Sequence, residues 1–179
     1  MKSIVLLSSK GGVGKSSLIK QIHRELDRLG YQVWGKDTDP QATYESFLNS
    51  LSEPDNADFY LYDTQGADSA INRTLLEAIA QNDNDSLIIV PVQPTETDLE
   101  RALSVAHLLQ QFNVRDKAVF VLNRCYREAD KETLKAKETL KSFNIKVAKS
   151  VIVNRLRFDQ IPTPKIRNDV SKLIHEVIL

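Results

Sequence analysis

What the 179-residue chain has little of narrows its class first. It holds one cysteine, Cys125, so a single chain can build neither a disulfide framework nor a cysteine metal cage. Its three histidines, His23, His107 and His175, are scattered and suggest no metal site. No apolar run approaches the ~18 residues that a membrane helix needs. The first residues enter a strand-like run without the build of a signal peptide, so a cytoplasmic location is expected. Repeats, low-complexity stretches and linkers are absent, and residues 1–179 are expected to form one domain. Net charge is zero, but this hides a split. Residues 1–114 carry 9 Lys+Arg against 16 Asp+Glu, and residues 115–179 carry 15 against 8. Such asymmetry marks either a polyanion-binding surface or a set of solvated helix faces, of which "KETLKAKETLK" is one.

What is present is an alternation of short apolar runs with helical patterns. Strands are expected at 3–7, 31–35, 58–63, 86–92, 118–123 and 145–153. Several are apolar throughout, the mark of parallel strands covered on both faces. Leu18, Ile22, Leu26 and Leu29 repeat at helical spacing, and Gly30 ends that helix. Helices are also expected at 68–81, 97–112, 128–143 and 168–178. This predicts an α/β fold, a mostly parallel sheet with helices on both faces.

Between the first strand and the first helix lies "LLSSKGGVGKSSL", residues 6–18. It is close to the phosphate-loop pattern G-x-x-x-x-G-K-[ST], but Ser9 stands where the opening glycine belongs and an extra lysine, Lys10, follows. Gly11, Gly12 and Gly14 let backbone N–H groups turn toward phosphate oxygens. The helix N-terminus adds partial positive charge, and the loop's Val13 and Ser17 complete the cradle. Lys15 is placed to reach the β/γ-phosphates and the Ser16 hydroxyl to ligate Mg²⁺. After the second strand comes "DTDPQ" (37–41), two acidic residues at a strand's carboxyl end, where ligands gather in open α/β sheets. The other use for Asp39 is a cap before a helix at 41–51. The third strand ends in "YDTQGA" (62–67), where Asp63 is either a Mg²⁺-holding carboxylate or a turn residue. Gly66, three residues on, is placed to offer a backbone N–H to a γ-phosphate.

"KGGVGKSS" together with "DTDPQ" resembles the ParA/MinD family of deviant Walker A ATPases. The resemblance runs from Met1 to about Asp169 and is strongest at 6–17, 37–41 and 90–102. It implies a P-loop NTPase fold using ATP and Mg²⁺ and hydrolysing ATP to ADP and phosphate. It implies that Lys10, on the outer lip of the loop, contacts the nucleotide of a facing subunit in an ATP-sandwiched homodimer. It also implies that Asp39 orients the attacking water and shares the metal site with Ser16 and Asp63. Asp37 matches the family's first aspartate without a defined role, and "VPVQPTETDLERA" (90–102) is expected on the dimer face. Two departures are visible: "WGK" precedes the aspartates where relatives have an apolar strand, and Gln65-Gly66 replace a pair of prolines.

"VLNRCY" (121–126) lacks the aspartate of a guanine-reading N-K-x-D motif, which argues against GTP. The resemblance sets Asn123 and Arg124 beside adenine, with Val153 near a second adenine loop. ParA-type ATPases bind DNA without sequence preference once dimerised. Lys149, Arg155, Arg157, Lys165 and Arg167, with Lys146, are the candidates for such a surface. The implied role is DNA segregation near the nucleoid, with a centromere-binding adaptor that stimulates slow hydrolysis. Three rivals stay open: a MinD-like positioning ATPase on a membrane, an ATP-dependent metabolic enzyme on the same fold, and a cargo-positioning ParA relative on the nucleoid that differs only in its partner. The closing segment "DVSKLIHEVIL" carries an apolar stripe but too few basic residues for an interfacial helix. It is expected to dock on the sheet, and no membrane partner is expected.

Overall fold

Six parallel strands form one sheet in the order β2-β3-β1-β4-β5-β6. The computed structural model describes residues 2–66, 68–81 and 85–179. The strands are β1 (Lys2–Leu6), β2 (Val33–Asp37), β3 (Phe59–Asp63), β4 (Ser86–Val92), β5 (Ala118–Cys125) and β6 (Ile152–Val153). The helices are α1 (Lys15–Arg28), α2 (Glu45–Leu48), α3 (Ala70–Gln81), α4 (Glu96–Gln111), α5 (Lys131–Ser142) and α6 (Pro164–Val177). β1 lies between β3 and β4, where the winding of the chain reverses. The loop leaving β1 therefore opens into the crevice at the carboxyl edge, the place where α/β sheets bind ligands.

Both faces of the sheet are covered, as the continuous apolar runs predict. Ile4 and Leu6 of β1 pack with Leu18, Ile22 and Leu26 of α1 and with Val170, Leu173 and Ile174 of α6. Val5 and Leu7 face the other way, against Leu76 of α3, Val105 and Leu109 of α4, and Leu140 of α5. The apolar stripe of the last helix is thus spent inside the fold. No helix among the described residues is long and apolar enough to cross a membrane.

Several element bounds differ from the sequence expectation, each for a physical reason. α1 closes at Gly30, whose φ is 93°; its N–H reaches Asp27 O at 2.9 Å and that of Tyr31 reaches Leu26 O at 3.1 Å. This double bond is a glycine C-terminal motif. It consumes Tyr31, so β2 starts two residues late and ends on Asp37. The expected strand 145–153 shrinks to β6 and a single bridge, Phe120 to Val147. It breaks because the Glu176 carboxylate accepts the N–H groups of Lys149 (2.5 Å) and Ser150 (2.8 Å). α5 begins at Lys131, not at 128, because Asp130 caps it from Glu132 N. α6 starts before the expected 168, with Thr163 as cap and Pro164 in its first turn. The helix expected at 41–51 reduces to the single turn of α2.

Candidate nucleotide site

The loop from Ser8 to Gly14 turns back on itself and delivers the chain into α1. Gly12 and Gly14 hold φ of 80° and 89°, the left-handed region that favours glycine. Gly14 is also pinned from outside, since a Cβ there would lie 2.8 Å from Asn123 Nδ2. The loop carbonyls are tied down by residues far along the chain. Arg124 Nη1 donates to Gly12 O at 2.9 Å and Asn123 Nδ2 to Val13 O at 2.8 Å. The first N–H groups of α1, which no preceding carbonyl of the helix can satisfy, open toward the crevice and favour an anion.

Lys15 begins α1 and is 4% exposed. Burial lowers its ammonium pKa, and Asp63, Asp39 and Asp37 oppose that drop through their charge. The charges of three carboxylates from two separate motifs therefore all act on this one lysine. Asp63 ends β3 at 0% exposure, and neither of its oxygens has a partner of hydrogen-bond geometry. Burial pushes its pKa up to about 6, with the Ser16 hydroxyl and Lys15 opposing the rise. A buried carboxylate without partners is costly unless a cation completes it. Together with the hydroxyl of Ser16 it suits Mg²⁺, which binds through one or two protein oxygens and fills its shell with phosphate and water. Among the described residues no group of three His, Cys, Asp or Glu side chains forms a metal cage.

Backbone and threonine contacts align the three strand ends. Thr38 donates to Asp63 O through N (2.9 Å) and Oγ1 (3.0 Å), and Thr64 Oγ1 donates to Leu6 O at 2.7 Å. Asp37 is spent on structure. Its Oδ1 accepts from Asp39 N at 2.9 Å, and its Oδ2 accepts from Tyr44 N at 2.8 Å and Glu45 N at 3.0 Å. Asp39 Oδ1 accepts from Gln41 N, within its own turn, at 3.0 Å; the residue is half-buried. Gly66, the last described residue of "YDTQGA" before Ala67, lies on the backbone of Lys10 and Gly11, where any Cβ would collide.

Lys10, expected on the outer lip of the loop, is paired within its own chain. Its Nζ lies 2.6 Å from Asp98 Oδ1, and that carboxylate is 5% exposed. Sequence reading missed Asp98. The signal was there, because Thr95-x-x-Asp98 has the sequence pattern of a helix start; Thr95 Oγ1 accepts from Asp98 N at 3.3 Å and donates to Asp98 Oδ2 at 3.0 Å. Beside the loop lies a cavity of about 380 Å³, lined by Gly14, Ser17, Asn123, Arg124, Val153 and Phe158 among others. Asn123 and Arg124 thus border the cavity where a base would sit, but their polar groups hold the phosphate loop.

The basic candidates do not form one cluster. Arg155 is committed to Asp169 at 2.8 Å and borders the same cavity as Arg157. Arg167 Nε stands 3.9 Å from Glu25. Lys165 and Arg167 lie in the first turn of α6, whereas the Lys149 backbone meets Glu176 near its end. At 1.5 Å per residue that is a separation of roughly 15 Å.

A crevice with a helix-opening glycine loop, a buried lysine, a partnerless carboxylate and an adjoining cavity is built for a nucleotide. A family model described as the CobQ/CobB/MinD/ParA nucleotide binding domain matches residues 4–163. The chain belongs to this ParA/MinD family of P-loop ATPases. No curated protein sequence matches it. Among solved structures, this ParA/MinD chain resembles a putative plasmid partition protein from Borrelia burgdorferi B31 bound to AMPPNP. The TM-score is 0.77 at 13% identity, over 97% of each chain. MinD of Aquifex aeolicus gives 0.67 at 18% identity, covering 100% of this chain and 99% of that one. The pNOB8 ParA bound to nonspecific DNA gives 0.66 at 15% identity, covering 98% and 93%. At such identities the likeness is one of fold.

Proposed function

We propose that this chain is a Mg²⁺-dependent ATP hydrolase of the partition type, working as a DNA-bound switch. The observation that carries the reading is the fully buried Asp63 carboxylate at the end of β3, neither of whose oxygens has a hydrogen-bond partner among the described residues, together with the buried Lys15 that opens α1 from the phosphate loop. In it, Lys15 and the N–H groups at the start of α1 hold the phosphate chain. A Mg²⁺ on Ser16 and Asp63 would neutralise charge developing on the γ-phosphate. Asp39, its outer oxygen free of the turn, orients the water that attacks. Lys10 leaves Asp98 and reaches the nucleotide of a second copy, so the ATP-bound state is a homodimer. In that state the exposed Lys149, Arg157 and Lys165, doubled by the dimer, meet DNA phosphates, and the chain sits on the nucleoid. Hydrolysis, stimulated by a centromere-binding adaptor, dissolves the dimer and frees the DNA. The partition reading is supported by the fold likeness to proteins described as partition proteins, one bound to nonspecific DNA. It is also supported by the burial of the α6 stripe, which leaves no apolar face on that helix for a membrane.

The test is binding to random-sequence duplex DNA with ATP, with ADP and without nucleotide, at two salt concentrations. The expected result is binding with ATP alone that weakens steeply with salt. Binding in no state would remove the DNA role. Pelleting with liposomes in ATP would then favour positioning on a membrane, and failure of both would favour a small-molecule acceptor.

A further inference from the structure

The loop that carries Asp39 is anchored at its far end by a feature that no motif contains. Tyr44, at the foot of α2, is fully buried. Its hydroxyl lies 2.7 Å from Nδ1 of His23, a buried residue on α1, the helix that starts at Lys15. The ring stacks on Phe47, and His23 meets both rings edge-on. The place for Tyr44 is made by Gly35 of β2. A Cβ at Gly35 would lie 2.5 Å from Tyr44 Oη and 2.6 Å from Leu48 Cδ2. This explains the glycine in the middle of β2, "VWGKD". The Tyr44 N–H, in turn, is one of the donors held by Asp37. The seven residues from Asp37 to Thr43 are therefore closed into a loop, with Asp37 at one end and the Tyr44–His23 bond at the other.

We infer that the Tyr44–His23 hydrogen bond is a clasp fixing the Asp39 loop to the phosphate-loop helix. Tyr44, His23 and Asp37 are then positioning residues for the water-attack step. The inference rests on the proposed role of Asp39. Burial favours the neutral forms of both partners, and the tautomer of the imidazole sets the direction of the bond: the phenol O–H donates where Nδ1 is bare and the phenol oxygen accepts where Nδ1 carries the proton. Neither side chain has to touch the nucleotide. The clasp sets where the Asp39 carboxylate stands relative to Lys15, and small misplacement of a water-orienting group costs rate rather than affinity.

The test compares Tyr44→Phe, His23→Leu and His23→Asn with Asp39→Asn, measuring nucleotide affinity, kcat and KM for ATP. His23→Asn keeps an acceptor near the Nδ1 position. Tyr44→Phe and His23→Leu are expected to lower kcat about tenfold, with affinity and KM within about twofold; His23→Asn is expected to keep most of the rate. Amide exchange at Tyr44 and Glu45 should quicken in Tyr44→Phe while exchange along β3 is unchanged, a readout independent of turnover. If Asp39→Asn loses turnover but Tyr44→Phe keeps it and its exchange pattern, the clasp is overturned and the role of Asp39 stands. If Asp39→Asn itself turns over normally, the reading on which the clasp rests is overturned instead.

Discussion

His23 shows how a single residue outside every motif can shape the molecule's behaviour. Burial lowers its pKa from 6.5 to about 4; Asp27 opposes the drop and Arg24 adds to it. The unfolded chain therefore takes up this proton first as the solution is acidified. Its contribution to stability is complete above about pH 6.5 and is lost as pH falls toward 4. At about 1.4 kcal/mol per tenfold in proton affinity, the window is worth roughly 3 kcal/mol. Denaturant unfolding of wild type and His23→Asn from pH 7 to pH 4.5 should show the loss in wild type and a flatter profile in the variant. Equal slopes would place the titration elsewhere. Lys10 makes a second point at this scale. Its partner Asp98 stands in the same chain, so reaching a facing subunit requires breaking an ion pair whose carboxylate is buried. Residue type and spacing identified Lys10, Lys15 and Asp63 because each sits in a local pattern. Tyr44 and His23 were not legible in the same way, because each has its partner on another element; Asp98 had a local signal in Thr95-x-x-Asp98, but its partner Lys10 comes from a distant loop.

At the scale of elements, the site is the meeting of four strand ends and one helix start. Gly66 is where two of these segments touch. A methyl group there would strike the backbone of Lys10 and Gly11, and backbone cannot rotate aside as a side chain can. Gly66→Ala should therefore lower ATP affinity at least about tenfold, while circular dichroism reports an intact fold. Unchanged affinity would mean that the two loops move apart freely. Elements whose ends are set locally were well read from sequence. The glycine motif after α1 and the apolar runs of β1, β3 and β4 are examples. Elements set by distant groups were misread. The stretch 145–153 has the residues of a strand, yet a glutamate on α6 takes the N–H groups that a ladder would need. α6 itself begins earlier than expected because Thr163 caps it and Pro164 enters its first turn.

For the whole molecule, the sequence conveyed the layered parallel fold and the place of the phosphate loop, and the family match over residues 4–163 agrees. The charge split needs more care. The basic half contains ion pairs such as Arg155–Asp169 that cancel within the chain, and the remaining cations are spread over several elements: Lys131, Lys135, Lys137 and Lys141 lie on α5, and Lys165, Arg167 and Lys172 on α6. In the proposed dimer a surface for DNA would draw on two copies more than on one patch, which would tie DNA binding to the nucleotide state. Every step of that account depends on the crevice hydrolysing ATP. Phosphate release from ATP, with and without Mg²⁺, by wild type, Lys15→Ala and Asp39→Asn is the measurement that tests it most directly. The account predicts slow, Mg²⁺-dependent release by wild type, no release by either variant, and nucleotide binding retained in Asp39→Asn alone. Release by Lys15→Ala at the wild-type rate, or none by wild type under any condition, would contradict it.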